Sequence, residues 1–353
     1  MIKPWSDKLR KVDPYVPGEQ SKNPNIIKLN ANENPYPPSP KAVEAIKNFD
    51  TDKLCLYPNS SAYQLTEALA MHYGLDMNQV FVGNGSDEVI ALAYMAFFNS
   101  EKPILFPDIT YSFYPVWCNF FSTPYVTKAV NDDFRINPED YYVENGGIII
   151  PNPNAPTGIS ESKEFIENIL KNNQDVVVII DEAYVDFGGY SAVELLSKYE
   201  NLVIIHTFSK SRSLAGMRIG VALGSPELIG LLNAVKNCYN SYTLDSVAIA
   251  AGTASVNDDD YFRSTLKKVI ATREHTAKEL NDLGFTVFPS HSNFLFATHP
   301  TIKAKELFEA AKAENIFIRF FNLPRIDNHL RITIGTDEQM DALIGFIKKY
   351  TGC

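Results

Sequence analysis

Five short runs, apolar on every residue or nearly so, constrain this chain most: Ile104-Leu105-Phe106, Ile148-Ile149-Ile150, Val176 to Ile180, Leu202 to Ile205 and Ile219 to Leu223. A strand presents alternate residues to opposite faces, so a run without polar alternation must be covered on both. Strands of that kind belong in a largely parallel sheet with helices on each side. Helical spacing precedes them: Leu65, Ala68, Leu69, His72 and Tyr73 recur at i, i+3, i+4, i+7 and i+8, and Gly74 stands where a left-handed C-cap belongs. The expected fold class is α/β, and in such sheets ligands sit just beyond the carboxyl ends of the strands.

The flanks read differently. Asn34 to Pro40 contains four prolines and cannot be regular; Ser39 and Pro40 read as N-cap and first-turn proline of a helix through Phe49. Beyond Asn257 the pattern is a long helix around Asp260 to Leu283, strand-like Phe285–Phe288 and Asn293–Phe296, and a last helix whose Thr336 and Gln339 are spaced as a capping box. The expected division is an N-terminal arm with part of a small domain (1–49), a large domain (50–256) and a small α+β domain (257–353).

Acidic residues number 42 against 32 basic ones, a formal charge of −10, which argues against binding nucleic acid through its phosphates. The four cysteines, Cys55, Cys118, Cys238 and Cys353, form no CxxC pair, and the six histidines form no HxxxH pair, so no metal site is expected. No segment approaches the roughly 18 apolar residues of a membrane span, and the amino terminus does not read as a signal peptide. The expected location is the cytoplasm.

Candidate chemistry gathers after the apolar runs. Asp181-Glu182-Ala183-Tyr184 comes directly after the run that ends at Ile180; Ser209-Lys210 comes after the next, and Arg218 stands eight residues on. Two neighbouring strands would thus deliver a carboxylate, a lysine and an arginine to one place. Upstream, Gly83-Asn84-Gly85-Ser86-Asp87-Glu88 precedes a helical stretch, and free amides at a helix start bind anions such as phosphate.

Together with Tyr15-Val16-Pro17-Gly18, Leu29-Asn30-Ala31-Asn32-Glu33-Asn34-Pro35, Tyr57-Pro58, Asn152-Pro153-Asn154-Ala155-Pro156-Thr157-Gly158 and Leu330-Arg331-Ile332-Thr333-Ile334-Gly335-Thr336, these segments resemble the fold-type-I pyridoxal-phosphate aminotransferases. The resemblance covers nearly the whole chain and is closest to the histidinol-phosphate aminotransferase branch. It implies pyridoxal 5'-phosphate as cofactor, with Lys210 condensing with its aldehyde, Asp181 keeping the pyridine nitrogen protonated and Tyr184 donating to the phenolic oxygen. It implies that Tyr111 lies against the ring, and that the amides of Gly85, Ser86 and Asp87, with Ser209, Arg218 and Tyr57 of a partner subunit, hold the phosphate. The family's asparagine before Pro-Thr-Gly is replaced here by Ala155; either Asn154 substitutes from the preceding position or the contact is missing.

For substrate the resemblance implies Arg331 as the anion clamp, Arg319 as a second cation with Arg325 as an alternative, and Tyr36 reaching across a homodimer. The implied reaction is amino transfer from histidinol phosphate to 2-oxoglutarate. An aromatic amino-acid aminotransferase of the same branch and a phosphothreonine-type decarboxylase are the alternatives.

Overall fold

The structure, a computed structural model, describes residues 3, 5–15, 19, 21 and 23–352. Val16, Pro17 and Gly18 of the first motif and Cys353 lie outside them. Among the described residues no helix is long and apolar enough to cross a membrane.

The chain runs β1 (Ile27–Lys28), α1 (Pro40–Lys47), α2 (Tyr63–Tyr73), β2 (Val80–Asn84), α3 (Gly85–Phe97), β3 (Ile104–Pro107), α4 (Tyr114–Phe121), β4 (Tyr125–Lys128), β5 (Ile148–Pro151), α5 (Lys163–Asn172), β6 (Val178–Asp181) and β7 (Leu202–Thr207). It continues with β8 (Ile219–Gly224), α6 (Pro226–Tyr239), α7 (Ser246–Val256), α8 (Asp259–Asp282), β9 (Thr286–Val287), β10 (Phe294–Thr298), α9 (Ala304–Ala313), β11 (Ile316–Phe317), β12 (Arg319–Phe320), β13 (His329–Thr333) and α10 (Asp337–Thr351).

All five apolar runs are strands of one seven-stranded sheet in the order β2-β8-β7-β6-β5-β3-β4. Neighbours pair in parallel except at β8, which is antiparallel to both β2 and β7. Alternation along each strand feeds two cores. Ile148, Ile150, Val178 and Ile180 pack with α2, α5 and α7 residues on one face, while Ile149, Ile179, Val203 and Ile205 pack with α3, α4 and α6 residues on the other. A third core surrounds the antiparallel sheet β12-β13-β10-β9 and includes Leu29 from the amino-terminal segment.

The local signals act as their chemistry dictates. Ser39 accepts from the Ala42 N–H at the start of α1, Gly74 caps α2 at φ 67°, and Thr336 and Gln339 form the capping box of α10. Two strands of the large sheet carry no such signal. β2 holds only three apolar residues before Gly83, and β4 is an edge strand whose side chains are largely exposed.

Candidate active site

Asp181 is the last residue of β6, and β7, its parallel neighbour, ends at Thr207 just before Ser209 and Lys210. Both side chains line a cavity of about 230 Å³ at the carboxyl ends of these strands, with Ser86, Tyr184, Ser209 and Arg218. Lys210 Nζ stands 5.6 Å from the centre of the Tyr184 ring, and among the described residues no carboxylate pairs with it.

Asp181 is buried. Its Oδ2 accepts from the Tyr114 hydroxyl at 2.8 Å and its Oδ1 from the Ala183 N–H at 3.2 Å. Burial pushes its carboxyl up to about 6, against the pull of these two hydrogen bonds. A cation delivered to the cavity would relieve that penalty. Tyr114, fully buried among the aromatic rings of the α4 face, carries no sequence signal of its own in a chain with 18 tyrosines.

Where α3 begins, the cavity presents groups whose chemistry suits an anion. Gly83 and Asn84 close β2 rather than forming a turn, and α3 begins at Gly85, so the amides of Gly85, Ser86 and Asp87 have no partner inside the helix. Gly85 has φ 80°, and a Cβ there would run into the Arg218 guanidinium. Arg218 holds Asp87 at 2.9 Å and reaches the Ser209 hydroxyl at 3.4 Å. Tyr111 lines the cavity and donates to Asp87 at 3.0 Å. Carboxylate, amine and anion cradle thus suit a cationic ring nitrogen, an aldehyde and a phosphate, the three reactive features of pyridoxal phosphate.

The structure does not bring Asn154 to this cavity. Its carboxamide donates to the Ile109 carbonyl at 2.9 Å and to Thr157 Oγ1 at 3.3 Å. Its backbone is pinned by Ile159 and Gly158, so the side chain turns inward as the hub of its own loop. Ala155 forms the wall and offers no side-chain donor. The expectation that Asn154 takes the place of the missing asparagine is therefore corrected.

A second cavity, of about 750 Å³, shares Ala31, Glu33, Tyr111, Ala155, Tyr184 and Lys210 with the first. Arg319 and Arg331 line it, directly opposite one another across β12 and β13. Arg331 donates to the Asn30 carbonyl at 3.1 Å and its buried Nε has no partner. Burial, with Arg319 adding to it, pushes its pKa below the ordinary arginine value. No carboxylate among the described residues pairs with either arginine. Arg325 lines the same cavity but is committed to Asp108 Oδ2 at 3.0 Å and to the carbonyls of Val130 and Asn131.

Two expected contributors stand away from both cavities. Tyr57 is 82% exposed and stacks on Tyr242 at 4.6 Å. Tyr36 packs against the small-sheet core with the Lys268 ammonium 5.2 Å over its ring.

The sequence model of a family described as aminotransferase class I and II matches residues 24–347. The histidinol-phosphate aminotransferase of Lactococcus lactis subsp. cremoris is 52% identical over 346 residues, covering 98% of this chain and 97% of that protein. The enzyme of that name from Clostridium beijerinckii is 51% identical over 344 residues, covering 98% and 96%. Among solved structures, the histidinol-phosphate aminotransferase from Sinorhizobium meliloti in complex with pyridoxal-5'-phosphate superposes with a TM-score of 0.83 over 92% of this chain and 90% of that one. At 23% identity it shows the shared fold.

Proposed function

Because the chain belongs to the class I and II aminotransferase family, we infer that it transfers the amino group of L-histidinol phosphate to 2-oxoglutarate, giving imidazole acetol phosphate and glutamate, with pyridoxal phosphate as cofactor. This is a step of histidine biosynthesis. The observation that carries the substrate reading is the Arg319–Arg331 pair, two cations side by side in the larger cavity with no carboxylate partner among the described residues. A phosphate dianion matches two guanidinium groups, and a carboxylate matches one.

Bound pyridoxal phosphate supplies a sink for the electron pair left when the substrate Cα loses its proton. In our reading Lys210 Nζ takes that proton and later returns it; an amine must be unprotonated to do so. Asp181 holds a proton on the ring nitrogen, and the Tyr184 hydroxyl donates to the phenolic oxygen. Ser209, Arg218 and the first-turn amides of Gly85, Ser86 and Asp87 bind the phosphate, and Tyr111 lies against the ring. Arg331 orients the substrate anion, and Arg319 adds the second charge that a phosphate needs.

We further infer a homodimer in which Tyr57 and Tyr36 serve the partner's site. The exposure of Tyr57, stacked on Tyr242 and outside the lining of its own subunit's cavities, supports this. In the same reading the chain divides into an arm (1–49), a large cofactor domain (50–256) and a small domain (257–353), and works in the cytoplasm. The free thiols of Cys55, Cys118 and Cys238 fit a reducing compartment.

Single-turnover mixing of cofactor-loaded protein with each donor tests the substrate. Histidinol phosphate is expected to change the cofactor absorbance fastest, and 2-oxoglutarate to restore it. A rapid response to phenylalanine or tyrosine with none to histidinol phosphate contradicts the assignment; carbon dioxide release from phosphothreonine without an oxo acid points to the decarboxylase.

A further inference from the structure

Asn32 lies in the left-handed region at φ 55°, is 2% exposed, and makes four hydrogen bonds, two that hold its backbone and two that fix its side chain. Its backbone N–H donates to Thr333 Oγ1 at 3.0 Å, and the Thr333 hydroxyl in turn donates to Asn32 Oδ1 at 3.0 Å. Its carbonyl accepts from Asn293 Nδ2 at 2.9 Å. With Oδ1 satisfied by a hydroxyl, the amide nitrogen faces the other way and donates to the Tyr184 hydroxyl oxygen at 2.9 Å.

We propose that Asn32 is a positioning residue for Tyr184: by giving its N–H to the Tyr184 oxygen, it commits the Tyr184 proton to the cofactor cavity. The inference rests on the role proposed above for Tyr184. A phenol has one proton, and an oxygen already accepting an N–H gains nothing from turning that proton back toward the same donor. The other candidate donors on this side of the cavity are out of play. Ala155 has none, and the Asn154 amide is spent on Ile109 and Thr157. The phenolic oxygen of the cofactor therefore relies on Tyr184, and Tyr184 relies on Asn32.

The same contact joins the two substrate-facing halves of the site. Asn30 and Asn32 are bound to Arg331 and Thr333 of β13, two residues apart on one strand, while Tyr184 stands just past the end of β6 in the large sheet. Asn32 thus ties the small sheet that carries the substrate arginine to the hydroxyl that addresses the cofactor.

The readout is the midpoint of the pH-dependent absorbance change of the bound cofactor, which reports protonation of the nitrogen joining it to Lys210. A donor to the neighbouring phenolic oxygen disperses its negative charge; losing that donor leaves the charge to hold the nitrogen's proton more strongly, so the midpoint rises. Asn32→Gly keeps a residue that tolerates positive φ and removes the amide; Asn32→Asp keeps the shape and replaces the donor by an acceptor that draws the Tyr184 proton away. Both are expected to raise the midpoint by about one pH unit, and Asn32→Gly is expected to add nothing in a Tyr184→Phe background. A midpoint that moves in Tyr184→Phe and stays at the wild-type value in both Asn32 variants overturns the inference. A midpoint unmoved by Tyr184→Phe instead overturns the role proposed for Tyr184. Should Asn32→Gly fail to fold, Asn32→Asp alone decides between these outcomes.

Discussion

Arg319 and Arg331 stand opposite one another in the β12–β13 ladder, so both side chains leave the same face of the small sheet. Like charges in that relation are mutually destabilising. Here they line a cavity that also reaches Lys210 and Tyr184, which is why we propose the pair as an anion site rather than a packing arrangement. Arg325, a few residues away in sequence, shows the contrast: its charge is already matched by Asp108.

Removing one guanidinium separates the two anions. Arg331→Ala is expected to lower kcat/KM for both substrates, by roughly tenfold to a hundredfold for the loss of about 1.5–3 kcal/mol of charge-assisted hydrogen bonding. Arg319→Ala should weaken histidinol phosphate more than 2-oxoglutarate, because the phosphate gathers two charges on one group beside the paired arginines, whereas the two carboxylates of 2-oxoglutarate lie at opposite ends of the molecule. Steady-state kinetics with each substrate varied in turn checks this; equal losses for both in Arg319→Ala contradict it.

Asp181 makes the cofactor-free protein sensitive to pH. Its folded pKa, about 6, lies above the ordinary 3.8. Between about pH 4 and about pH 6 the folded state therefore holds more protons than the unfolded one, and stability falls as pH rises through that window. The loss is on the order of 2–3 kcal/mol and is complete above pH 6. Asp181→Asn should remove this dependence, making the cofactor-free variant more stable than wild type at neutral pH while binding the cofactor more weakly. Urea unfolding of both proteins across the window is the measurement, and parallel pH profiles contradict it.

Tyr114→Phe removes the hydroxyl that donates to Asp181 Oδ2 and leaves that oxygen buried without it. The Asp181 pKa should rise further, and cofactor affinity at neutral pH should drop. In an Asp181→Asn background the substitution should have a much smaller effect on affinity. Cofactor titration by fluorescence quenching of the four proteins completes the cycle.

Much of the fold is legible in the sequence because apolar runs announce buried strands wherever both faces are covered. They carry no direction, however, so the reversal of β8 is invisible there: Ile219 to Leu223 reads the same whichever way its neighbours run. At the site, strand ends place Asp181 and Lys210, because a residue just past a buried strand must emerge at its carboxyl edge. Asn154 defeats the sequence reading since adjacency to a motif says nothing of which way a side chain turns, and that is decided by the Ile109 carbonyl, 45 residues away. Asn32 and Tyr114 are hidden for the same reason: their partners, Tyr184 and Asp181, are brought to them only by the packing of distant segments.

Gly85→Ala tests the anion cradle. A Cβ at φ 80° costs about 1–2 kcal/mol in backbone strain and displaces the Arg218 guanidinium as well. Thermal unfolding should fall accordingly, and affinity for the cofactor should fall more than affinity for its unphosphorylated aldehyde. A uniform loss for both compounds contradicts a phosphate site at this helix start.

Mixing two inactive variants tests the sharing of sites between subunits. Tyr57→Ala lacks the side chain proposed for the partner's phosphate, and Lys210→Ala lacks the amine. A hybrid dimer contains one intact site, so mixtures refolded together should exceed either parent in activity. No recovery, in a preparation shown by sedimentation to contain hybrids, contradicts the trans role of Tyr57.

Above all, Lys210 must face Asp181 across one cavity for this chemistry to run. Borohydride reduction of the cofactor-loaded protein, with peptide mass mapping afterwards, tests this directly. The cofactor's mass is predicted on the peptide containing Lys210, and Lys210→Ala is predicted to retain none. Stable labelling of a different lysine, or a fully labelled Lys210→Ala protein, would contradict it.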